Sequence, residues 1–485
     1  MLPLLASYLD HPSYADLGRI SYTSSDQLAT PTSGVQQAFT LLAWLTSRMT
    51  SGAAKKDFNL AIVGGGIAGL TLAIALHHRG INVSIYEQAP KFGEIGAGVS
   101  FSPNAVQAMR ICHDGIYQSF EKVCTRNQWP EKQNVWFDFL DAYGEEGEQL
   151  ERSTLKFVVT NSLGQNGVHR ATFLDELVKL VPEGIAHFGK RLKSLEQSGD
   201  GKGKCRMTFE DGSSAEADAV IGCDGIKSKT RQLMHGLDHP CAQPTYTYKY
   251  AYRGVVPMAQ AIKAVGEDRA LNSCMHLGPN GHVLTFPVNH GETLNIVAFK
   301  TTDKPWPNSD KLTAPAHRDD ALRDFAGYSN DVIGLLKLTS ENLDIWAIFD
   351  LGQHPPPTYT KGRVAIMGDA AHATSPHHGA GAGMCIEDSA VMAELLADDS
   401  VKTTQDLEAV FSTFHDVRRE RGQSLVQSSN RIGNVYEWRA EGVGRDFDKM
   451  REEINRRNDV IGGEDVDVGE MCKQAREKLR EKLVR

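Results

Sequence analysis

Residues 58–87 of the 485-residue chain read FNLAIVGGGIAGLTLAIALHHRGINVSIYE. The continuous apolar run Leu60–Val63 is typical of a short buried strand. A glycine cluster follows, and Leu70–His78 then carries helix-forming residues up to a second strand-like run at Val83–Tyr86. The segment therefore predicts strand, turn, helix and strand, which is the opening unit of a Rossmann-type α/β fold.

The glycines Gly64, Gly66 and Gly69 have the spacing G-x-G-x-x-G between this strand and this helix. In a dinucleotide-binding unit the first glycine permits the tight turn, the second lets the backbone approach a pyrophosphate, and the third lets helix and strand pack closely. The N-terminus of the helix also attracts phosphates. Glu87, at the end of the second strand, can accept hydrogen bonds from ribose hydroxyls. These residues predict a dinucleotide site, and the alternative is a purely structural glycine turn.

Two later segments distinguish FAD from NAD. Val220–Arg231 reads VIGCDGIKSKTR, and Gly362–His372 reads GRVAIMGDAAH. Together with the glycine cluster, and in this order, they resemble the class A flavoprotein aromatic hydroxylases, the group of salicylate hydroxylase, para-hydroxybenzoate hydroxylase and the fungal polyketide hydroxylases. The resemblance extends from about Phe58 to about Leu396 and implies FAD as the cofactor.

The resemblance also implies the architecture. We expect a Rossmann-type α/β FAD-binding domain like that of para-hydroxybenzoate hydroxylase, with an inserted, mainly β substrate domain and a helical C-terminal region. Residues 1–57, rich in Ser, Thr, Ala and Gly, are expected to form a disordered extension. The other expected parts are the first part of the FAD-binding domain at 58–239, with a substrate-facing segment at about 100–165, the β-rich substrate domain at 240–349, the flavin end of the FAD-binding domain at 350–400, and the helical region at 401–485.

Further FAD contacts follow from the resemblance, residue by residue. Asp369 is expected to hydrogen-bond the ribityl chain or the ribose. Backbone N–H groups of the glycine-rich segment 379–383, with Ala382 among them, are expected to meet the flavin ring. Gly98 and Arg170 match two other contacts of the family. The alternatives are a simple turn at Gly98 and a surface ion pair at Arg170.

Asp224 belongs to a segment that, in the family, touches both the FAD pyrophosphate and the path of the pyridine nucleotide. Arg231 is accordingly a candidate for assisting NADPH. Because the sequence contains only one Rossmann fingerprint, no separate nicotinamide domain is expected. The family implies that NAD(P)H binds transiently and that oxygen from O2 reaches an electron-rich ring through a flavin C4a-hydroperoxide. The protein must then exclude water and hold a phenolate in place.

Arg253 is the leading candidate for a catalytic residue. It matches an arginine that orients and deprotonates the substrate in fungal dearomatising hydroxylases, where a nearby guanidinium lowers the pKa of a phenol. The alternative is an arginine that only stacks or pairs within an aromatic-rich strand. Phe286 stands where the family pattern has a tyrosine, so a tyrosine clamp on the substrate is not expected from that side.

Three histidines near the predicted flavin end, His372, His377 and His378, invite a metal-site interpretation. In the family the first histidine belongs to the flavin-binding turn, and two adjacent histidines point in different directions, so no metal site is expected. The alternative role is a contact of Pro376 and His377 with the substrate side of the flavin.

Composition argues against several other kinds of partner. The chain has 52 Lys and Arg against 61 Asp and Glu, a net charge of -9, which does not favour nucleic acid. The cysteines form no C-x-x-C pair, which indicates a reducing compartment. No apolar run reaches the roughly 18 residues of a spanning helix, the best being Ala38–Thr46. We expect a cytoplasmic protein whose partners are a phenolic substrate, O2 and NAD(P)H; the oligomeric state is not indicated.

The sequence therefore predicts an FAD-dependent monooxygenase that hydroxylates a phenolic substrate, with fungal aromatic polyketide biosynthesis as the expected setting. A salicylate hydroxylase-type catabolic enzyme is the first alternative. A flavoprotein oxidase, dehydrogenase or halogenase is a second, although the Trp-x-Trp-x-Ile signature of related halogenases is absent from the sequence. A non-catalytic flavin-binding protein is a third, and the intact flavin motifs argue against it.

Overall fold

The structure is a computed structural model that describes residues 56–93, 98–145, 148–197, 203–308, 310–463 and 465–484. The expected N-terminal extension lies outside these ranges except for its last two residues. The Nζ atom of Lys56 donates hydrogen bonds to the backbone carbonyls of Asp398 at 2.7 Å and Val401 at 2.6 Å. The beginning of the described chain is thus fixed against a segment that lies far along the sequence.

The described residues form strands and helices that are numbered here in chain order. The strands are β1 (Asn59–Val63), β2 (Asn82–Tyr86), β3 (Gly98–Val99), β4 (Thr125–Arg126), β5 (Val135–Asp141), β6 (Thr154–Thr160), β7 (Asn166–His169), β8 (Ala186–His187), β9 (Leu192–Gln197), β10 (Cys205–Phe209), β11 (Ser214–Ala217), β12 (Ala219–Gly222), β13 (Thr245–Pro257), β14 (Cys274–Gly278), β15 (Gly281–Val288), β16 (Thr293–Thr301), β17 (Thr313–His317), β18 (Asn342–Asp350), β19 (Thr360–Lys361) and β20 (Val364–Ile366). The α-helices are α1 (Ile67–His77), α2 (Pro103–Cys112), α3 (Asp114–Val123), α4 (Arg170–Val178), α5 (Lys229–His235), α6 (Met258–Val265), α7 (Glu267–Ala270), α8 (Arg318–Asp324), α9 (Asn330–Lys337), α10 (Asp369–His372), α11 (Gly381–Ala397), α12 (Asp406–Tyr436), α13 (Phe447–Gly462) and α14 (Val468–Leu483).

A mainly parallel sheet in the order β19-β20-β12-β1-β2-β8 forms the centre of the predicted FAD-binding part. Strand β1 pairs in parallel with both β2 and β12, and β12 pairs in parallel with β20. Residues Ile67–Leu76 of α1 are all buried, which explains why this helix is apolar on every side. The predicted Rossmann-type unit is confirmed.

A second sheet in the order β17-β18-β13-β16-β15-β14-β5-β6 forms the predicted mainly β part. Its last two strands come from the predicted substrate-facing segment, and β5 joins β14 in parallel. Side chains alternate along β13, as in any strand. The hydroxyls of Tyr250 and Tyr252 on β13 donate to Asp324 at the end of α8 at 2.6 and 2.7 Å, which joins this strand to that helix.

The C-terminal region is helical, as expected, and is joined to α11 by buried charges. Arg418 on α12 donates to Asp388 at 2.7 Å and to Glu387 at 2.8 Å, and all three side chains are inaccessible to solvent. Loss of one partner from such a buried cluster costs about 3–5 kcal/mol, because the remaining charge stays buried without compensation. Within the described ranges, no helix is both long enough and apolar enough to cross a bilayer.

Two buried histidines make the stability of the fold sensitive to mild acid. Burial, with a contribution from the charge of Arg269, lowers the pKa of His276 to about 3. Burial likewise lowers the pKa of His378 to about 4. In the unfolded chain both rings bind a proton near the usual pKa of about 6.5. Between these values the unfolded state binds more protons, so stability that is fully present above about pH 6.5 is lost as the pH falls.

We expect the urea concentration that half-unfolds the FAD-loaded protein to fall between about pH 7 and pH 5, with each histidine contributing about 1.4 kcal/mol per pH unit. H276N should flatten this dependence, because asparagine does not titrate and can still meet Ser153, whose Oγ lies 2.8 Å from His276 Nδ1. H354N, at an exposed histidine, is the matched control and should leave the slope unchanged. Equal midpoints for the wild-type protein at the two pH values would contradict the prediction.

Candidate active site

The glycine turn between β1 and α1 is shaped by close backbone contacts. Gly64 has φ +105°, and a Cβ there would lie 2.5 Å from the carbonyl oxygen of Cys223, the residue that follows β12. At Gly69, inside α1, a Cβ would overlap the carbonyl oxygen of Gly64. Gly66 is the N-cap of α1. The turn therefore brings exposed backbone to the N-terminus of the helix, which is the arrangement that phosphates prefer.

Glu87 completes this turn from the end of β2. Its Oε2 accepts a hydrogen bond from the backbone N–H of Gly65 at 2.6 Å, and its Oε1 accepts one from Ala89 at 2.7 Å. A Cβ at Gly65 would lie 2.6 Å from the ring of Phe92 and 3.1 Å from Glu87 Oε2. The carboxylate is thus held against the glycine turn.

Two cavities meet at this turn. The first, here called the glycine-loop cavity, has a volume of about 870 Å³ and is lined by Gly64, Gly66, Glu87 and Asp224 among others. The second, the central cavity, has a volume of about 350 Å³ and lies between the parallel sheet and the eight-stranded sheet. Gly66, Cys223 and Gly225 line both cavities, so the two cavities lie next to each other. The predicted residues Gly98, Arg170, Arg253, Asp369 and Ala382 all line the central cavity.

Arg253 projects from β13 into the central cavity. Its guanidinium carbon lies 4.5 Å from the centroid of the Trp346 ring, and its buried Nε has no hydrogen-bond partner among the described residues. Burial, with the nearby positive charge of Arg170, lowers the pKa of Arg253 to about 10. The group therefore remains a cation at neutral pH. Arg253 thus stacks on Trp346 and also lines the central cavity.

Asp369 and Ala382 lie at the beginnings of two helices that point at the same cavity. Asp369 is the first residue of α10 and follows Gly368, which has φ +60°. Ala382 is in the first turn of α11, whose N-terminus carries no side-chain cap. The first backbone N–H groups of a helix have no partner within it, so those at the beginning of α11 can meet an anionic or carbonyl group in the cavity. In α10 the N–H of Ala371 already donates to the carbonyl of Gly368 at 2.8 Å.

Gly98 pairs with His169 as part of β3 rather than forming a turn. A Cβ at Gly98 would lie 2.6 Å from Cζ of Phe286, and one at Gly167 would lie 2.5 Å from Cδ2 of the same ring. The edge of the Phe286 ring is thus packed against two glycines. Space for this ring, rather than backbone freedom, is what requires glycine at position 98.

We expect G98A to lower both the FAD affinity and the melting temperature, because the new methyl group must displace a buried ring at a cost of about 1–3 kcal/mol. F286L in the same chain should recover most of the loss, since the smaller side chain leaves room for the methyl group. The measurement is a double-mutant cycle on melting temperature and FAD affinity, with an expected coupling of about 0.5–3 kcal/mol. Strictly additive effects of G98A and F286L would show that the two positions are independent.

Asp224 and Arg231 are engaged within the fold. Asp224 accepts hydrogen bonds from Ser228 Oγ at 2.6 Å and from the N–H of Thr230 at 2.8 Å, at the beginning of α5. Arg231 is fully buried and donates to backbone carbonyls, including that of Ala370 at 2.9 Å. The prediction that Arg231 assists NADPH is therefore wrong, because its side chain joins α5 to α10 and has no access to a ligand.

The three predicted histidines have separate surroundings. His372 Nε2 lies 2.6 Å from Asp388 Oδ2, and His378 Nε2 lies 2.8 Å from Ser428 Oγ. His377 alone lines the central cavity. In the part of the chain that the structure describes, no group of three or more His, Cys, Asp or Glu side chains is placed to hold a metal ion.

His377 is buried beside a chain of polar groups that leads away from the cavity. Its ring centroid lies 5.3 Å from that of His282, and His282 Nδ1 lies 3.2 Å from Oε1 of Glu437. Burial, with the neighbouring His282 and Lys249, lowers the pKa of His377 well below the usual value. The pKa of Glu437 is lowered to about 2: burial alone would raise this pKa, but the positive charge of Lys249 outweighs that effect. His377 therefore presents a neutral imidazole to the cavity.

A protein-family model described as an FAD binding domain matches residues 57–429. The chain belongs to this FAD-binding family. An FAD-dependent monooxygenase of Monascus ruber, pigN, is 45% identical over 434 residues, which are 88% of this chain and 98% of that protein. The 6-methylsalicylate 1-monooxygenase atA of Aspergillus terreus is 41% identical over 416 residues, 84% of this chain and 90% of that one. A solved salicylate hydroxylase substrate complex matches with a TM-score of 0.75 and 34% identity, covering 87% of this chain and 98% of its own.

With its family and these relatives, the protein is an FAD-dependent monooxygenase, and its cavities fit the cofactor. The glycine-loop cavity offers Glu87 and the N-terminus of α1 to an adenosine diphosphate, and its glycines leave room where a Cβ would collide. The central cavity offers Asp369 and the N-terminus of α11 to the ribityl chain and the flavin. The two cavities adjoin at Gly66, Cys223 and Gly225, which is the order in which the two ends of an FAD molecule would follow each other.

Several residues that line the central cavity of this flavoprotein were not predicted from the sequence. Trp136 and Phe137 come from β5, Trp346 comes from β18, and Gln165 precedes β7. The hydrophobic pattern of β5 predicts a buried strand but does not reveal which of its side chains face a ligand. For Gln165 no signal in the sequence marks it out, since it lies in a polar stretch between two strands.

Proposed function

We propose that this monooxygenase hydroxylates a phenolic ring in the central cavity, with NAD(P)H and O2 as co-substrates, as a tailoring step in fungal aromatic secondary metabolism. The observation that carries the proposal is the cationic Arg253 among apolar and aromatic walls formed by Leu284, Phe286 and Phe299. An uncompensated cation in such surroundings stabilises a bound anion, and a phenolate is the anion that electrophilic hydroxylation requires.

The proposed roles of the residues follow from their positions. FAD, when bound, supplies the redox chemistry that activates O2. Arg253 binds the phenol oxygen and lowers the pKa of the phenol, so that the ring reacts as the phenolate. Trp346 holds the guanidinium plane in place by stacking. The apolar walls exclude water from the reacting atoms. In the net reaction one oxygen atom of O2 enters the ring, the other leaves as water, and NAD(P)H supplies two electrons.

NAD(P)H use is proposed from the resemblance to the class A aromatic hydroxylases, and the single dinucleotide-binding fingerprint in the sequence agrees with a nicotinamide that binds briefly and leaves. The fungal setting is supported by the origin of the two relatives described above. For the FAD contacts we propose Gly64, Gly66, Gly69, Glu87, Gly98, Arg170, Asp224, Asp369 and Ala382. Asp224 fills this role by shaping the turn before α5, since its carboxylate is already bonded within the fold.

A salicylate-type acid is the second candidate substrate. The relative atA is named for 6-methylsalicylate, and the solved neighbour is a salicylate hydroxylase. A salicylate would present its phenol and its carboxylate to the same cavity wall that carries Arg253.

The test is oxygen incorporation by the purified yellow protein. NADPH consumption is followed with and without a panel of phenols, salicylates and polyketide-like phenols, and products formed under labelled O2 are examined by mass spectrometry. We expect at least one phenol to accelerate NADPH consumption and to gain one labelled oxygen atom. If no member of the panel does either, the monooxygenation of phenols by this site is ruled out for those classes. Faster NADPH consumption without labelled product would indicate an oxidase.

A further inference from the structure

Gln165 lies on the wall of the central cavity with an unsatisfied side chain. Its exposed fraction is 2%, and both Nε2 and Oε1 lack a hydrogen-bond partner among the described residues. Its backbone N–H donates to the carbonyl of Val135 at 2.9 Å, which fixes its position beside β5. The amide is therefore buried and held in place, and it lines the space in which a ligand binds.

The neighbouring residue Asn166 is a buried amide whose side-chain polar atoms are both hydrogen-bonded within the protein. Asn166 is equally buried, but its Oδ1 accepts from the N–H of Phe101 at 2.8 Å and its Nδ2 donates to the carbonyl of Phe101 at 2.7 Å. The side chain of Asn166 thus binds the backbone of Phe101, whereas the side chain of Gln165 has no such partner among the described residues. Native structures rarely leave both polar atoms of a buried side chain unpaired, because the loss of water is not compensated.

We propose that Gln165 is a specificity-determining residue that hydrogen-bonds a second polar substituent of the substrate, an acyl carbonyl or an adjacent hydroxyl, distinct from the phenol oxygen assigned to Arg253. This inference rests on the proposed function and deepens it. A primary amide carries donors and an acceptor side by side, so it complements a carbonyl or a hydroxyl equally well.

The wall to which Gln165 belongs favours the substrate over the cofactor as its partner. Trp136 and Phe137 of β5, the strand to which Gln165 is bonded, come from the eight-stranded sheet. Most of the residues proposed to contact FAD come from the parallel sheet and from the beginnings of α10 and α11, while Gly98 and Arg170 lie on β3 and at the beginning of α4, next to β7. A site built to hydrogen-bond a substituent rejects the analogue that lacks it, because the buried polar group is then left unpaired.

The experiment compares two ligands of nearly equal shape, 2,4-dihydroxyacetophenone and 4-ethylresorcinol, which differ in the carbonyl group. Their dissociation constants are measured on the FAD-loaded protein from changes in the flavin absorbance. Q165M removes the amide while preserving the length of the side chain. M275L, which repacks another residue of the cavity wall, is the matched control. The acetyl group also acidifies the phenol, but that contribution is common to all the variants and cancels in their comparison.

We expect the preference for the acetyl compound, expressed as the ratio of the two dissociation constants, to fall about 3- to 10-fold in Q165M and to change less than about two-fold in M275L. Without a ligand, Q165M should retain FAD and melt at the same temperature as the wild type or higher, because an unpaired buried amide is replaced by an apolar group. A residue with a merely structural role would lower the melting temperature instead.

Two results would overturn the inference: an unchanged preference in Q165M, whether or not FAD binding is weakened, or a lower melting temperature with loss of FAD. Q165A, tested in the same way, provides a second variant should methionine pack poorly. The outcome is separable from that of the proposed function. If the wild type binds the acetyl compound through Gln165 but no phenol of the panel is hydroxylated, the proposed reaction fails while the binding role stands.

Discussion

Replacing Arg253 with methionine is expected to slow hydroxylation about 10- to 1000-fold at neutral pH while FAD stays bound. The range follows from the 1–3 pKa units by which a nearby positive charge typically lowers the pKa of an acid. Methionine preserves the apolar contact with Trp346 but removes the charge. Activity is measured as labelled oxygen incorporated per FAD with the best substrate found.

The pH profile distinguishes this role from a structural one. Without the cation the phenol ionises at higher pH, so the rising limb of the rate profile should move about 1–3 units toward alkaline pH in R253M. R253K should be intermediate, because lysine restores the charge without the planar, stacked guanidinium. R206M, which removes an exposed arginine paired with Glu216 on another sheet, is the control for net charge and should leave the profile unchanged. An unchanged profile in R253M with normal FAD content would refute the assigned role.

G69A should give a protein that purifies without FAD. The added methyl group overlaps the carbonyl oxygen of Gly64 and lies 3.2 Å from the side chain of Ile62. Since the obstacle is backbone, no rotamer change relieves it, and α1 must move away from the turn that receives the pyrophosphate. Overpacking of this kind costs about 1–3 kcal/mol or more, which corresponds to an FAD affinity lowered at least about 10- to 100-fold.

The affinity is measured by titrating the deflavinated protein with FAD, and the helix content is checked by circular dichroism. G334A is the matched control, because a Cβ at this position in α9 would meet only Ala264 at an ordinary distance of 3.8 Å. It should bind FAD as the wild type does. Tight FAD binding by G69A would mean that close packing at this position is not needed for the site.

The architecture was predictable from the sequence because its opening unit depends on local patterns. Strand β1, the glycine turn and α1 follow from hydrophobic periodicity and from the steric needs of a phosphate-binding turn. The site residues that lie far from this unit in the sequence were predicted only through the family resemblance. As that resemblance implies, Asp369 and Arg253 line one cavity in the structure. The domain boundaries and the roles of these residues are still predictions, which the experiments above address.

The errors and omissions concern side chains whose partners are distant in sequence. Arg231 is predicted from the sequence to assist NADPH, but its bonding partner Ala370 is brought to it only by tertiary folding. Gly98 has a spatial requirement set by Phe286, which no local pattern contains. Gln165 is notable because its amide lacks partners, and a sequence does not show which buried groups a fold leaves unsatisfied.

The interleaving of the two sheets determines how this chain must be synthesised and folded. Strand β12 cannot pair with β20 until β20 is translated, which happens only after the whole of the eight-stranded sheet. Strand β5 likewise cannot pair with β14 until β14 is translated, after much of the FAD-binding part. Contacts so distant in sequence slow folding, and until they form the nascent chain exposes unpaired strand edges that aggregate readily. The two parts are thus obligate co-folding partners, and cutting the gene between them would yield insoluble fragments rather than separate modules.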